Sequence, residues 1–275
     1  MMPAPRMNPP ELWQRGACLK LHRDRCFGEV SMFARPVVNG RKRTIQPCGT
    51  PIAISYLTFG VPPYFARNAA SRGGARNRAT RESHALSRWH VANLISAKIH
   101  ADAIGLPFTR MITLHWESAG VALDGMALAT GRFIDMLSKA LARDKSRTAW
   151  LWVHENGDGK GGHCHILAHV PAKLVDTVTR LQRRWLRTIS GNPYRARVIK
   201  SVPIGGRLGL ETSNRPLHAL NTEMALCYVL KGADEPSAAL FGLERLDAGG
   251  RIVGKRCGTS QNIGAKARAT VRIEI

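Results

Sequence analysis

Acidic residues are scarce in this chain: Asp and Glu number 19 against 41 Lys and Arg in 275 residues, a net charge of +22. An excess of that size implies a polyanionic partner, with nucleic acid the first expectation and an anionic membrane surface the competitor. Other absences narrow the choice. No apolar run approaches the ~20 residues needed to cross a bilayer, and the N-terminus lacks the apolar segment of a secretory leader. A cytoplasmic protein without a membrane partner is therefore expected. The six cysteines (Cys18, Cys26, Cys48, Cys164, Cys227 and Cys257) show no CxxC spacing, which argues for reduced thiols rather than a disulfide framework. No GxxxxGK[ST] loop occurs, so no attached ATP-driven motor is expected. Tyrosine is also sparse, with Tyr56, Tyr64, Tyr194 and Tyr228 the full set.

What is present centres on Ala149 to Pro171, AWLWVHENGDGKGGHCHILAHVP. It reads as a hairpin: a strand over Trp150–Glu155, a glycine-rich turn over Asn156–Gly162, and a strand over His163–Val170. Side chains alternate along a strand, so His163 and His165 share a face with Cα atoms roughly 6.5 Å apart. Two imidazoles at that spacing can converge on one cation. Folding the hairpin back sets Glu155 opposite His163. Two histidines and a carboxylate with room left over make the pattern of a catalytic metal site rather than a closed structural one. An HxH pair on a strand also arises by chance, as two merely exposed histidines.

Around the hairpin the pattern alternates. A helix is expected from His84 to Ile104, capped by Ser83, with Leu86, Trp89, Leu94, Ile95 and Ile99 on its apolar face. Phe108–Trp116 reads as a strand with Ile112, Leu114 and Trp116 on one side and Thr113 and His115 on the other. Helices follow over Gly125–Arg143 and, opened by Pro171, up to Ser190. A fourth strand is expected over Ala196–Pro203, then a helix capped by Ser213 or Asn214 that runs through Leu230. From Phe108 to Pro203 the order is strand, helix, strand, strand, helix, strand. That is the split βαβ (ferredoxin-like) arrangement of an α+β protein, one antiparallel sheet with helices on one face and the other face free for a site. Residues 1–82, rich in Pro, Gly and Arg with a short apolar run at Ile52–Phe59, read as a basic and partly disordered extension. Residues 83–233 would form the catalytic domain and 234–275 a basic tail.

Tyr228 lies on the last of these helices, and Lys231, three residues on, shares its face. A buried core tyrosine is the plain alternative. An adjacent ammonium or metal would favour the phenolate and neutralise a phosphate under attack.

Taken together, these parts resemble the HUH endonucleases, specifically the rolling-circle replication initiators of plasmids and single-stranded DNA phages. The resemblance covers about Phe108 to Gly232. Ile112–Trp116 (ITLHW) looks like the family's first motif, and His163-Cys164-His165 like its His-hydrophobic-His motif. Tyr228-Val-Leu-Lys231 is similar to its tyrosine motif. Met224 and Gly232 stand where a second tyrosine would be, so the likeness is to the single-tyrosine class. The resemblance implies Glu155, His163 and His165 as ligands of Mg²⁺ or Mn²⁺, Tyr228 as nucleophile and Lys231 as its phosphate-neutralising partner. It implies single-stranded or hairpin DNA at a replication origin as substrate, with a host helicase and polymerase downstream. A conjugative relaxase or single-strand transposase shares that chemistry. A non-catalytic RNA-binding split βαβ module would instead need aromatics on the sheet, for which Trp116, Trp150 and Trp152 are available. A histidine-triad hydrolase would need a histidine where Leu167 stands.

Overall fold

The computed structural model describes residues 80–157, 159–206 and 213–270. The basic extension expected at residues 1–82, apart from its last three, and the strand expected at Ile52–Phe59 lie outside that range.

Seven strands and six α-helices make up the described chain: β1 (Glu82–Ser83), α1 (Arg88–Ala103), β2 (Arg110–His115), α2 (Met126–Arg143), β3 (Trp150–Gly157), β4 (Gly161–Ala168), α3 (Val175–Ser190), β5 (Ile199–Pro203), α4 (Arg215–Leu230), α5 (Glu235–Phe241), β6 (Ile252–Val253), β7 (Cys257–Thr259) and α6 (Ala265–Thr270). Five strands form one antiparallel sheet in the order β5-β2-β4-β3-β7, and β1 pairs with β6 in a small ribbon. The run from β2 to β5 is the expected split βαβ unit. Its two crossover helices, α2 and α3, lie together on one sheet face. There Phe133, Leu137, Leu141, Val178 and Trp185 pack on Ile112, Leu114, Trp152, Cys164 and Ile166.

The opposite face, expected to be free, is covered. Helices α1, α4 and α5 flank the unit in sequence and fold over Met111, Leu151, Val153 and Leu167. The physical reason is visible in those strand residues: this face is apolar for most of its length, and leaving it open would expose a large hydrophobic patch. Only its far end, where Thr113, His115, Glu155, His163 and His165 project, is polar. Trp116 and Trp152 are buried in the α2/α3 layer, so they cannot serve as base-stacking platforms on an open sheet.

Several local expectations shift. Helix α1 begins at Arg88, not His84, and its cap is Ser87. The Ser87 backbone N–H donates to His90 Nδ1 at 3.3 Å, in the manner of a capping box. Ser83 instead sits in β1, where its hydroxyl accepts from Arg256. The buried stripe of α1 is Val91, Leu94, Ala97 and Ala101, while Trp89 and Ile99 face outward. Ala97 and Ala101 make up half of that stripe. β5 starts at Ile199, three residues later than expected. Asn214 caps α4, accepting from the Leu217 N–H at 3.2 Å.

Residues 234–270, read from the sequence as a tail, are woven into the fold. β7 adds to the sheet edge beside β3, with Leu151 opposite Thr259 and Val153 opposite Cys257. Arg256, almost fully buried, holds this segment down through the Ser83 side chain and the carbonyls of Ser83, Gly249 and Gly250. Its five donors meet four acceptors in one place, the use for which a guanidinium is suited.

Candidate metal centre

β3 and β4 pair in the register the hairpin implied, Glu155 opposite His163 and Val153 opposite His165. β2 lies on the other side of β4 and sets Thr113 opposite His165 and His115 opposite His163. Directly opposed residues share a sheet face, so five polar side chains converge at one end of the sheet.

Glu155, His163 and His165 bring one ligand atom each within 4.8 Å of one another, and all three are buried. Glu155 Oε2 lies 3.2 Å from His163 Nε2 and 3.5 Å from His165 Nε2. The His163 Nδ1–H donates to the Gly161 carbonyl at 2.8 Å. A carbonyl only accepts, so Nδ1 carries the proton and Nε2 turns its lone pair inward. Thr113 Oγ1 holds His165 Nδ1 at 3.0 Å, which likewise aims Nε2 at the carboxylate. Two of these buried atoms, His165 Nε2 and Glu155 Oε1, have no hydrogen-bond partner. Buried polar atoms are rarely left so. Two imidazole nitrogens and a carboxylate facing one another, with second nitrogens anchored from behind, fit a divalent cation with open coordination positions.

The electrostatics agree. Burial alone would raise the Glu155 carboxyl, but contacts from His163 and His165 and the charge of Lys231 overcome it and hold the group ionised, well below the usual carboxylate range. Burial lowers His165 to about 4, against a smaller upward pull from Glu155, so its imidazole is neutral and able to ligate.

The end of α4 closes over this cluster. Tyr228 sets its ring edge-on to His165, centroids 5.2 Å apart. Lys231, the residue that caps α4, places its ammonium 5.2 Å over the Tyr228 ring and pairs with Glu155 Oε2. All five residues singled out from the sequence thus meet in one place. One expectation about them changes. Burial first, and then the Glu155 charge, push the Tyr228 hydroxyl above its ordinary range. The Arg245 guanidinium over the ring pulls the other way without overcoming them. Tyr194, the other tyrosine of the matched region, belongs to the apolar cluster on the opposite sheet face and lies under Arg183.

Other members of the site were given no role by the sequence. His115 stacks on His163 with ring centroids 5.5 Å apart; the strand pattern put it on this face, but nothing gave it a role. Arg245 and Asp247 sit in the loop after α5. The Arg245 guanidinium lies 5.2 Å over the Tyr228 ring and pairs with Asp247 at 3.1 Å. Asp247 Oδ2 is 3.9 Å from the Lys231 ammonium. Loop residues brought in by tertiary folding have no periodicity from which to be read.

Fold and site together define an α+β protein with a histidine–carboxylate cluster, suited to a metal ion, on a five-stranded antiparallel sheet. No family model and no curated protein matches the chain. Among solved structures it is similar to the N-terminal nuclease domain of minute virus of mice non-structural protein 1, described with a Zn²⁺ coordination in its active-site pocket and a mode of DNA recognition at the origin of replication. The similarity covers 49% of this chain and 70% of that one at 10% identity and a TM-score of 0.26. A score of that size does not establish a shared fold. Among the described residues no helix is long and apolar enough to cross a membrane.

Proposed function

We propose that this protein is a rolling-circle replication initiator, a metal-dependent endonuclease that nicks single-stranded or hairpin DNA at an origin. The observation that carries this reading is the convergence of the Glu155, His163 and His165 ligand atoms within 4.8 Å, with Tyr228 packed against one ligand, at 5.2 Å between rings. A tyrosine beside a metal cluster in a chain of net charge +22 suits chemistry on a phosphodiester better than on a neutral substrate.

Glu155, His163 and His165 would hold the ion, and two imidazoles sit more easily with Mn²⁺ than with Mg²⁺. When bound, the metal supplies Lewis acidity at the scissile phosphate. The Tyr228 oxygen forms the new bond to phosphorus as the bond to the 3′ oxygen breaks. The phenolic proton passes to water, and the departing 3′ oxygen takes one up from water. The products are a 5′-phosphotyrosyl link and a free 3′-hydroxyl, which a polymerase can extend behind a helicase. Lys231 neutralises the phosphate during attack.

The test is to incubate the protein and Mn²⁺ with labelled single-stranded DNA and map any nucleotide-linked peptide. The reading expects the adduct on Tyr228 and its loss in Tyr228→Phe. An adduct on Tyr194, or cleavage undiminished in excess chelator, would overturn it.

A further inference from the structure

The candidate centre already holds a cation. Lys231 is almost completely buried, and its ammonium contacts Glu155 Oε2, the oxygen that also faces both histidine nitrogens. An ammonium and a divalent ion cannot both take that oxygen's inward lone pairs. Without a metal, the ammonium solves a specific difficulty, since a buried carboxylate with no counter-charge is strongly destabilising. A second acceptor stands beside the first. Asp247 Oδ2 is 3.9 Å from Lys231 Nζ, and the Asp247 backbone N–H donates to the Lys231 carbonyl at 2.9 Å. Arg245 steadies the same carboxylate at 3.1 Å. One lysine therefore lies between two carboxylates, one buried among ligands and the other 41% exposed in its side chain. The lysine stem has four rotatable bonds, enough to move its head from one to the other with the backbone fixed.

We propose that Lys231 is an internal counter-cation that occupies Glu155 until a divalent ion binds and then passes to Asp247. The inference rests on the metal-site reading above. It has two consequences. A monovalent ion gains nothing by replacing an ammonium of equal charge, so the site selects divalent ions by charge as well as by ligand type. The ammonium also becomes free of Glu155, beside Tyr228, only when metal is loaded, which ties the phosphate-neutralising charge to the presence of the ion.

The experiment is calorimetric titration of the full chain with Mn²⁺ at fixed pH, without DNA, for wild type, Lys231→Met, Asp247→Asn and the double variant. Removing the competing charge should tighten Mn²⁺ binding about tenfold in Lys231→Met. Asp247→Asn, which removes the receiving carboxylate, should weaken it several-fold. That second effect should shrink when Lys231 is already Met, because no ammonium then needs a receiver. Lys231→Met binding no tighter than wild type, or an Asp247→Asn loss equal in both backgrounds, would overturn the proposal. If Lys231→Met folds only with Mn²⁺ present, Asp247→Asn alone decides, and unchanged affinity in it is the refuting result. Failure of the metal-site reading looks different: wild type would then bind Mn²⁺ no better than His163→Ala.

Discussion

The imidazoles of His115 and His163 lie one on the other across β2 and β4, centroids 5.5 Å apart and planes 25° from parallel. The stack and the Gly161 carbonyl hold the His163 ring from two sides. Such a contact is worth roughly 0.5–1.5 kcal/mol. His115→Ala should therefore weaken Mn²⁺ binding about three- to tenfold, while His115→Phe, which keeps a flat ring, should stay near wild type. Calorimetry on the metal alone separates this from any effect on DNA.

A buried polar chain on the other sheet face invites a second test. The Trp116 indole N–H donates to Thr130 Oγ1, the Thr130 hydroxyl donates to His154 Nε2, each at 2.8 Å, and His154 Nδ1–H donates to the Lys255 carbonyl at 2.8 Å. Every link has its partner. Thr130→Val preserves shape but strands two buried polar groups, a loss of about 2–4 kcal/mol. Thr130→Ser should cost much less. Urea denaturation measures both.

The cap of α1 gives a pH dependence. His90 Nδ1 accepts the Ser87 N–H, so it must be unprotonated there, and burial lowers its pKa from the usual 6.5. A histidine whose folded value lies below its unfolded value contributes stability above the unfolded value. That contribution is lost as pH falls through 6.5 toward the folded value, since the unfolded chain then binds the extra proton. Wild type should lose more thermal stability between about pH 7.5 and 5.5 than His90→Gln, whose amide oxygen accepts the same bond without titrating. Equal slopes would remove His90 as the cause.

The exposed side of α3 carries Arg180, Arg183, Arg184 and Arg187, spaced so that they are neighbours on one face. Like charges at those spacings cost a few tenths of a kcal/mol per pair, and a polyanion would relieve that repulsion. Arg184→Glu should raise thermal stability slightly while reducing DNA affinity, with the log–log salt slope falling by about one. A variant that binds DNA as wild type does, with an unchanged slope, would exclude this face from contact.

The parts of the site legible in the sequence were the local ones. Glycines at 157, 159, 161 and 162 dictate a turn, and a turn fixes register, so Glu155, His163 and His165 could be set on one face without further information. Tyr228 and Lys231 were legible as a pair because three residues on a helix are adjacent. What escaped depended on distant partners. β7 is three residues long with no alternation and becomes a strand only because β3 offers an edge. For α1 the apolar pattern places Leu86, Leu94 and Ile95 against the core but also points to Trp89 and Ile99, which face outward; Ala97 and Ala101, which carry little hydrophobic signal, are buried in their stead. Asp247 and Arg245 are loop residues whose meaning comes from Lys231. The cover over the second sheet face could have been anticipated, since Met111, Leu151, Val153 and Leu167 need a partner layer.

β7 bears on the order in which the molecule can assemble during synthesis. Glu155, His163 and His165 all lie in one hairpin, whose contacts close over a few residues and therefore form fast. Their covering partners arrive much later: Lys231 is 76 residues beyond Glu155, and Thr259 must travel back to meet Leu151. Until ribosomal synthesis has passed Lys231 the histidine–carboxylate cluster faces water without its ammonium, and until it has passed Thr259 β3 is an edge strand with open hydrogen-bonding groups. A nascent chain in that interval is the form most exposed to edge-to-edge association and to capture of a stray cation.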